Sequence, residues 1–214
     1  QNGFIGAICA GETVQEGMPV RRAGFLMPGL AEAHCHLFLD GAEHDLAQRA
    51  AYLDAPREAM LAVGRDALRQ YHAAGVTLVR DAGDIHGINV QLRDEQRDGP
   101  GLPKLLCAGK AIRNAGRYGS FMAQELTDQA GLEHLVRKLA TTSDQIKILM
   151  TGIIDFEAGE VKGAPQFTLD QTRRIVNEAR SRGLRTFAHC SGEAGISVAL
   201  AAGIDSIEHG FFVT

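Results

Sequence analysis

A chain of 214 residues is long enough for one domain with a sizeable core, and 45% hydrophobic residues is ordinary for a globular protein. A net charge of −4 argues against a nucleic-acid surface, and no apolar run approaches the roughly 18–20 residues of a membrane-spanning helix. The cysteines, Cys9, Cys35, Cys107 and Cys190, form no CxxC pair, which argues against a disulfide framework and for a reducing, cytoplasmic setting.

The chain opens on Gln1, so the true N-terminus, with any signal peptide, is expected upstream. Residues 3–25 are Gly-rich with short apolar runs and read as strand and turn pieces, too small to stand alone. From residue 29 short apolar segments alternate with longer amphipathic ones, the pattern of βα units in a parallel sheet. Six strands are predicted, at 30–36, 76–81, 104–109, 146–151, 184–189 and 205–209. The clearest helices between them are 57–73, 128–140, 169–182 and 193–202. Thr168 with Gln171 three residues later resembles a capping box before the third helix. Gly75, Gly183 and Gly203 each follow a helix where a C-terminal cap glycine belongs.

Such an alternation fits either a doubly wound sheet or a (β/α)8 barrel. No Gly-rich dinucleotide loop follows any strand, whereas candidate metal ligands sit at the C-terminal ends of several strands, where barrels carry their chemistry. The α/β barrel is therefore the expected fold. Six strands fall short of eight, so the sequence is expected to be part of a longer barrel, present through about strand six.

The candidate ligands start with His34 and His36, which close the first strand. Residues two apart on a strand share a face, so two imidazoles there can grip one ion, although such a pair alone is a weak signal. Lys147 lies in Ile146-Lys147-Ile148 on a strand expected to be buried on both faces. A buried ammonium is costly, and burial frees the neutral amine, which can take up CO2 as an anionic carbamate able to bridge two ions. A lysine paired with a buried acid, or one snorkelling to the barrel mouth, fits the same segment. His189 and His209 end the fifth and sixth strands.

His72 and His134 fall on helices and read as surface residues, His86 as a loop residue, and His44 has no strand to place it. Cys35, Cys190 and Glu208 each neighbour a ligand and by alternation point to the opposite face. Asp81 ends the second strand, as an outer partner to a histidine or as the mate of a neighbouring arginine.

The phrases Met27-Pro28-Gly29-Leu30-Ala31-Glu32-Ala33-His34-Cys35-His36, Gly75-Val76-Thr77-Leu78-Val79-Arg80-Asp81, Ile146-Lys147-Ile148, Phe187-Ala188-His189 and Ala202-Gly203-Ile204-Asp205-Ser206-Ile207-Glu208-His209-Gly210 run in order through the chain. Together they resemble the amidohydrolase superfamily, in its prolidase-like and imidazolonepropionase-like branch. The resemblance implies a (β/α)8 barrel of the metal-dependent hydrolases over residues 28–214, and makes residues 1–27 the remnant of a small β-sandwich. It implies two zinc ions, other divalent metals being open, with His34 and His36 on the more buried one. A carboxylated Lys147 would bridge the two, and His189 and His209 would hold the second. An aspartate after strand eight, the family's proton shuttle, lies beyond this sequence.

Arg113-Asn114-Ala115-Gly116-Arg117-Tyr118-Gly119-Ser120 replaces a phrase that many relatives write Gly-Gly-His-Gly. Arg117 or Tyr118 would there contact substrate, against the alternative of an ordinary loop. The implied activity is hydrolysis of an amide or peptide bond in a dipeptide or N-acyl amino acid, by a metal-bridging hydroxide. The expected partner is that small-molecule substrate, with no nucleic acid and no membrane, and a homo-oligomer is left open. Two alternatives stand beside it. One is a mononuclear deaminase or cyclic-amide hydrolase on the same scaffold, and the other a catalytically incomplete partial barrel that folds with a partner segment or as a swapped oligomer.

Overall fold

The computed structural model describes residues 19–96 and 101–213, with Ile8 and Gly17. The sandwich remnant expected in residues 1–27 therefore lies mostly outside the described residues, and 19–29 carry no strand. The elements, in order, are β1 (Leu30–Cys35), α1 (Leu46–Tyr52), α2 (Arg57–Ala73), β2 (Val76–Asp81), α3 (Ile88–Gln96), β3 (Lys104–Cys107), β4 (Ala111–Asn114), β5 (Ala123–Leu126), α4 (Leu132–Leu139), β6 (Gln145–Leu149), β7 (Ile154–Asp155), β8 (Glu160–Val161), α5 (Leu169–Ser181), β9 (Arg185–Cys190), α6 (Glu193–Ala202) and β10 (Ser206–His209).

Strands pair in the orders β1-β2-β3 and β10-β9-β6-β4-β5, every pair within these two sheets parallel. The two sheets are continuous at the third strand. Asp144 N–H donates to the Cys107 carbonyl at 2.8 Å, and Ser143 Oγ donates to the Ala108 carbonyl at 2.7 Å. The sheet thus curls through β1, β2, β3 with β4, β6, β9 and β10, six barrel strands in chain order. Helices cover its outer face. Ile146, Ile148, Ala188 and Cys190 pack outward with Val136 of α4, Ile175 and Ala179 of α5 and Ala199 of α6. Val79 and Cys107 pack with Met60, Leu61 and Leu68 of α2 and Leu92 of α3. Burial of each isoleucine, valine, leucine and methionine among these contributes about 1.5–3 kcal/mol. The inner face holds Lys147, Phe187 and His189, the placement that strand alternation dictates.

All six expected strands are present. The third is shorter than the predicted 104–109, because the chain breaks at Gly109 with φ 62, where a Cβ would stand 2.5 Å from Ser143 Oγ. It resumes as β4, against which β5 adds an edge. The four expected helices are also present within a residue or so, the second beginning with a 3-10 turn at Gln129–Gly131. At α5 both halves of the capping box form, and Gly75, Gly183 and Gly203 hold φ of 85, 72 and 80. Among the described residues no helix is long and apolar enough to cross a membrane.

Candidate metal centre

The C-terminal ends of β1, β6, β9 and β10 meet at one mouth of the curled sheet. There the His34 ring centroid lies 5.5 Å from His36 and 4.9 Å from His209, and His209 lies 4.8 Å from His189. The four imidazoles form one contiguous group. His209 joins it against strand alternation. On β10, Ser206 and Glu208 pair with Phe187 and His189 and share their inward direction, so His209 should face outward. The chain turns left-handed at His209, with φ 65, and the ring reaches the mouth from there.

The same register corrects the expected direction of Glu208. It faces the lumen, 6% exposed, and accepts hydrogen bonds from His34 Nδ1 (2.6 Å), Arg80 Nη2 (2.7 Å) and Ser206 Oγ (2.8 Å). Both residues thus reach the mouth, Glu208 through the strand register and His209 through its left-handed backbone.

Partners fix the ring nitrogens. His34 donates Nδ1–H to Glu208, and His36 donates Nδ1–H to the Gly83 carbonyl at 2.7 Å, which leaves each Nε2 with a lone pair. His189 Nε2 lies 3.0 Å from the Gly152 carbonyl and donates to it, which leaves Nδ1 as its acceptor. Burial, with the Lys147 charge second, pushes His36 down to about 3, and burial pushes His189 down to about 4 despite the Gly152 bond. Both rings are therefore neutral near pH 7, as metal ligation requires.

Asp81 supports this arrangement from behind. Its carboxylate accepts from Leu37 N–H and Gly83 N–H, both at 2.7 Å, and so holds the residue whose carbonyl orients His36. Backbone amides, rather than a neighbouring arginine, are its mates. Complete burial pushes the pKa of its carboxyl up to about 7 against those bonds.

Lys147 is 1% exposed, with Nζ 4.8 Å from the centroid of the Phe187 ring. Arg80 Cζ lies 4.6 Å from the same centroid, so the lysine amine and the guanidinium share one aromatic platform. Burial is the main cause that brings Lys147 down to about 7, with the Arg80 charge adding to it and Glu208 opposing it. A sizeable fraction of the amine is thus neutral near pH 7, the state from which a carbamate forms.

Tyr118 lies beside His189, ring centroids 5.4 Å apart, at the edge of the group. The Arg117 guanidinium instead bonds the Ala164 carbonyl, tying its loop to the segment after β8. His86 is exposed at its loop, with its ring 5.9 Å from Phe38.

Among the described residues no three His, Cys, Asp or Glu side chains already surround one point as a formed metal site. The donor set nevertheless suits a divalent ion of borderline softness. It offers four clustered imidazoles and a buried, deprotonatable lysine whose carbamate would supply anionic oxygens.

Residues 25–214 match the Amidohydrolase family. The chain is 30% identical over 210 residues to uncharacterized proteins of Mycobacterium bovis and Mycobacterium tuberculosis, covering 97% of this chain and 49% of theirs. It thus spans about half the length of the curated relatives it matches. Among solved structures it resembles a Xaa-Pro dipeptidase with bound methionine in the active site, with 25% identity, a TM-score of 0.68, and 86% of this chain and 48% of that one covered. In fold it also resembles a prolidase complexed with N-methylphosphonate-L-proline (24% identity, TM-score 0.71, 88% and 49% covered) and the A. niger ochratoxinase (21%, 0.71, 86% and 47%). The family match begins just before β1 and takes in every histidine of the cluster together with Lys147, and on that ground the chain belongs to the amidohydrolase family.

Proposed function

We propose that this chain carries most of the metal-binding half of a binuclear, metal-dependent hydrolase that cleaves an amide bond in a dipeptide or N-acyl amino acid. The observation that carries the reading is the meeting of His34, His36, His189 and His209 above a buried Lys147. In this reading His34 and His36 would hold one ion and His189 and His209 the other, with a carboxylated Lys147 as a ligand common to both. Zinc is the natural occupant, because imidazole suits it and it brings no redox liability. When bound, the metals supply Lewis acidity, which activates water near neutral pH and polarises the scissile carbonyl.

The chain's own residues contribute positioning. The Gly83 carbonyl fixes the His36 tautomer, and the Phe187 ring lies against the Lys147 amine. Tyr118, next to His189, is placed to line the substrate pocket, whereas Arg117 serves the loop. The likeness to a Xaa-Pro dipeptidase supports dipeptides as the first substrates to try.

The test assays the zinc-supplemented protein against a panel of Xaa-Pro and other dipeptides and N-acyl amino acids. Metal-dependent release of the free amino acid is expected. Deamination or ring opening of a cyclic amide, with one bound ion and an unmodified Lys147, would transfer the reading to the mononuclear class.

A further inference from the structure

The proposed metal reading accounts for the five ligands but leaves a buried ion pair beneath them unused. Glu208 comes from β10 and Arg80 from β2, and they meet in the lumen at 2.7 Å with side chains 6% and 18% exposed. Arg80 is itself anchored, since its Nε donates to the Ala33 carbonyl at 2.6 Å and its guanidinium rests on Phe187. One Glu208 oxygen takes the bonds from Arg80 and Ser206, while the other takes the Nδ1 proton of His34. The carboxylate is therefore held from one side by two donors and presents its remaining oxygen to the ring.

We propose that Glu208, clamped by Arg80 and Ser206, is a positioning residue that holds His34 in its Nδ1–H tautomer and aims its Nε2 lone pair into the mouth. The geometry separates this role from packing. A neutral imidazole has one donor and one acceptor nitrogen, and the one bonded to a carboxylate must be the donor. Without Glu208, His34 could place its proton on either nitrogen and rotate, and an ion would bind only the fraction that is correctly arranged. His36 draws its orientation from Gly83 and not from this pair, so it serves as an internal control. The metal part of this inference rests on the proposed function, while the tautomer part stands on the hydrogen bonds alone.

The experiment compares wild type, Glu208→Ala, Glu208→Gln and Ser206→Ala by two readouts. The first is the nitrogen NMR signature of the His34 and His36 rings in the metal-free protein. The second is zinc affinity by competition with a chelator. In Glu208→Ala, His34 is expected to lose its fixed tautomer while His36 keeps its own, and zinc affinity to fall about 10- to 100-fold, the usual effect of removing a histidine's outer partner. Glu208→Gln keeps the shape but must turn its amide nitrogen toward either Arg80 or His34, both donors. A loss of about tenfold is expected there, and this variant decides the matter should the alanine variant fail to fold. Ser206→Ala removes only one of the clamping donors and should lose less than either.

Unchanged His34 signals in the folded Glu208 variants, or zinc affinities within about twofold of wild type, would overturn the proposal. A wild-type protein that binds no zinc but shows the His34 tautomer collapsing in the Glu208 variants would refute the metal reading and leave the positioning role standing.

Discussion

At the scale of single residues, Lys147 is the most informative. Its position between two outward-facing isoleucines was legible in the sequence, because alternation on a doubly buried strand leaves one direction for it. Burial, the main cause of its lowered affinity for a proton, follows from the same alternation, whereas the opposing charges of Glu208 and Arg80 were not legible, because they come from other strands. A lysine brought down to about 7 from 10.5 has a definite sign of linkage. Between those values the unfolded chain binds a proton that the folded chain does not, so this group makes stability rise with pH across that window. Lys147→Met should therefore flatten that slope and stabilise the metal-free protein at neutral pH by about 1–3 kcal/mol, measured by urea denaturation. Incorporation of isotopically labelled bicarbonate should give a carbamate signal that grows as pH rises through about 7 and vanishes in the same variant. Glu208 was misread for a comparably local reason, since nothing in Ser206-Ile207-Glu208-His209 announces the left-handed turn at His209.

At the scale of elements, the long amphipathic helices and the parallel strands were legible, because their apolar periodicity is set by the faces they bury. Those missed are short or weakly apolar. Helix α1 spans seven residues, α3 buries only Ile88, Asn89 and Leu92, and Ala-Gln-Glu-Leu of β5 has no β-branched residue to mark a strand. Helix α5 offers a direct check on local coding. Thr168→Ala removes the acceptor for the Gln171 amide and breaks the reciprocal pair, and should cost about 1 kcal/mol with little effect on ring tautomers at the mouth. Gly152 is a sharper case, because a Cβ there would run into the Lys162 carbonyl across the β7–β8 hairpin, and its own carbonyl holds His189. Gly152→Ala should cost about 1–3 kcal/mol and also disturb the His189 ring, read from its NMR signals.

At the scale of the whole molecule, the curled sheet brings its first and last strands together through side chains. Glu208 of β10 reaches His34 of β1 and Arg80 of β2. The same contacts that shape the metal centre therefore also hold the ends of the sheet in register. Burial opposes the Glu208 charge, yet the bonds from His34 and Ser206 and the charge of Arg80 outweigh it and hold the carboxyl at about 2. A carboxylate so depressed contributes stability that is present above about 4.5 and lost as pH falls toward about 2. In the metal-free protein, the stability difference between wild type and Glu208→Gln should shrink over that interval. Arg80→Met, which strands a buried carboxylate, should cost about 3–5 kcal/mol at neutral pH. None of this closure was legible in the sequence, because Arg80 and Glu208 lie far apart along the chain and each reads as an ordinary charged residue.

We propose that His34, His36, Lys147, His189 and His209 act together as one metal-binding centre. The most direct measurement is zinc stoichiometry after exhaustive dialysis, for wild type and for His36→Asn and His209→Asn. Two ions are expected per wild-type chain, with loss of at least one in each variant while the fold persists by circular dichroism. A wild-type chain that retains no metal, or variants that retain the wild-type complement, would contradict it.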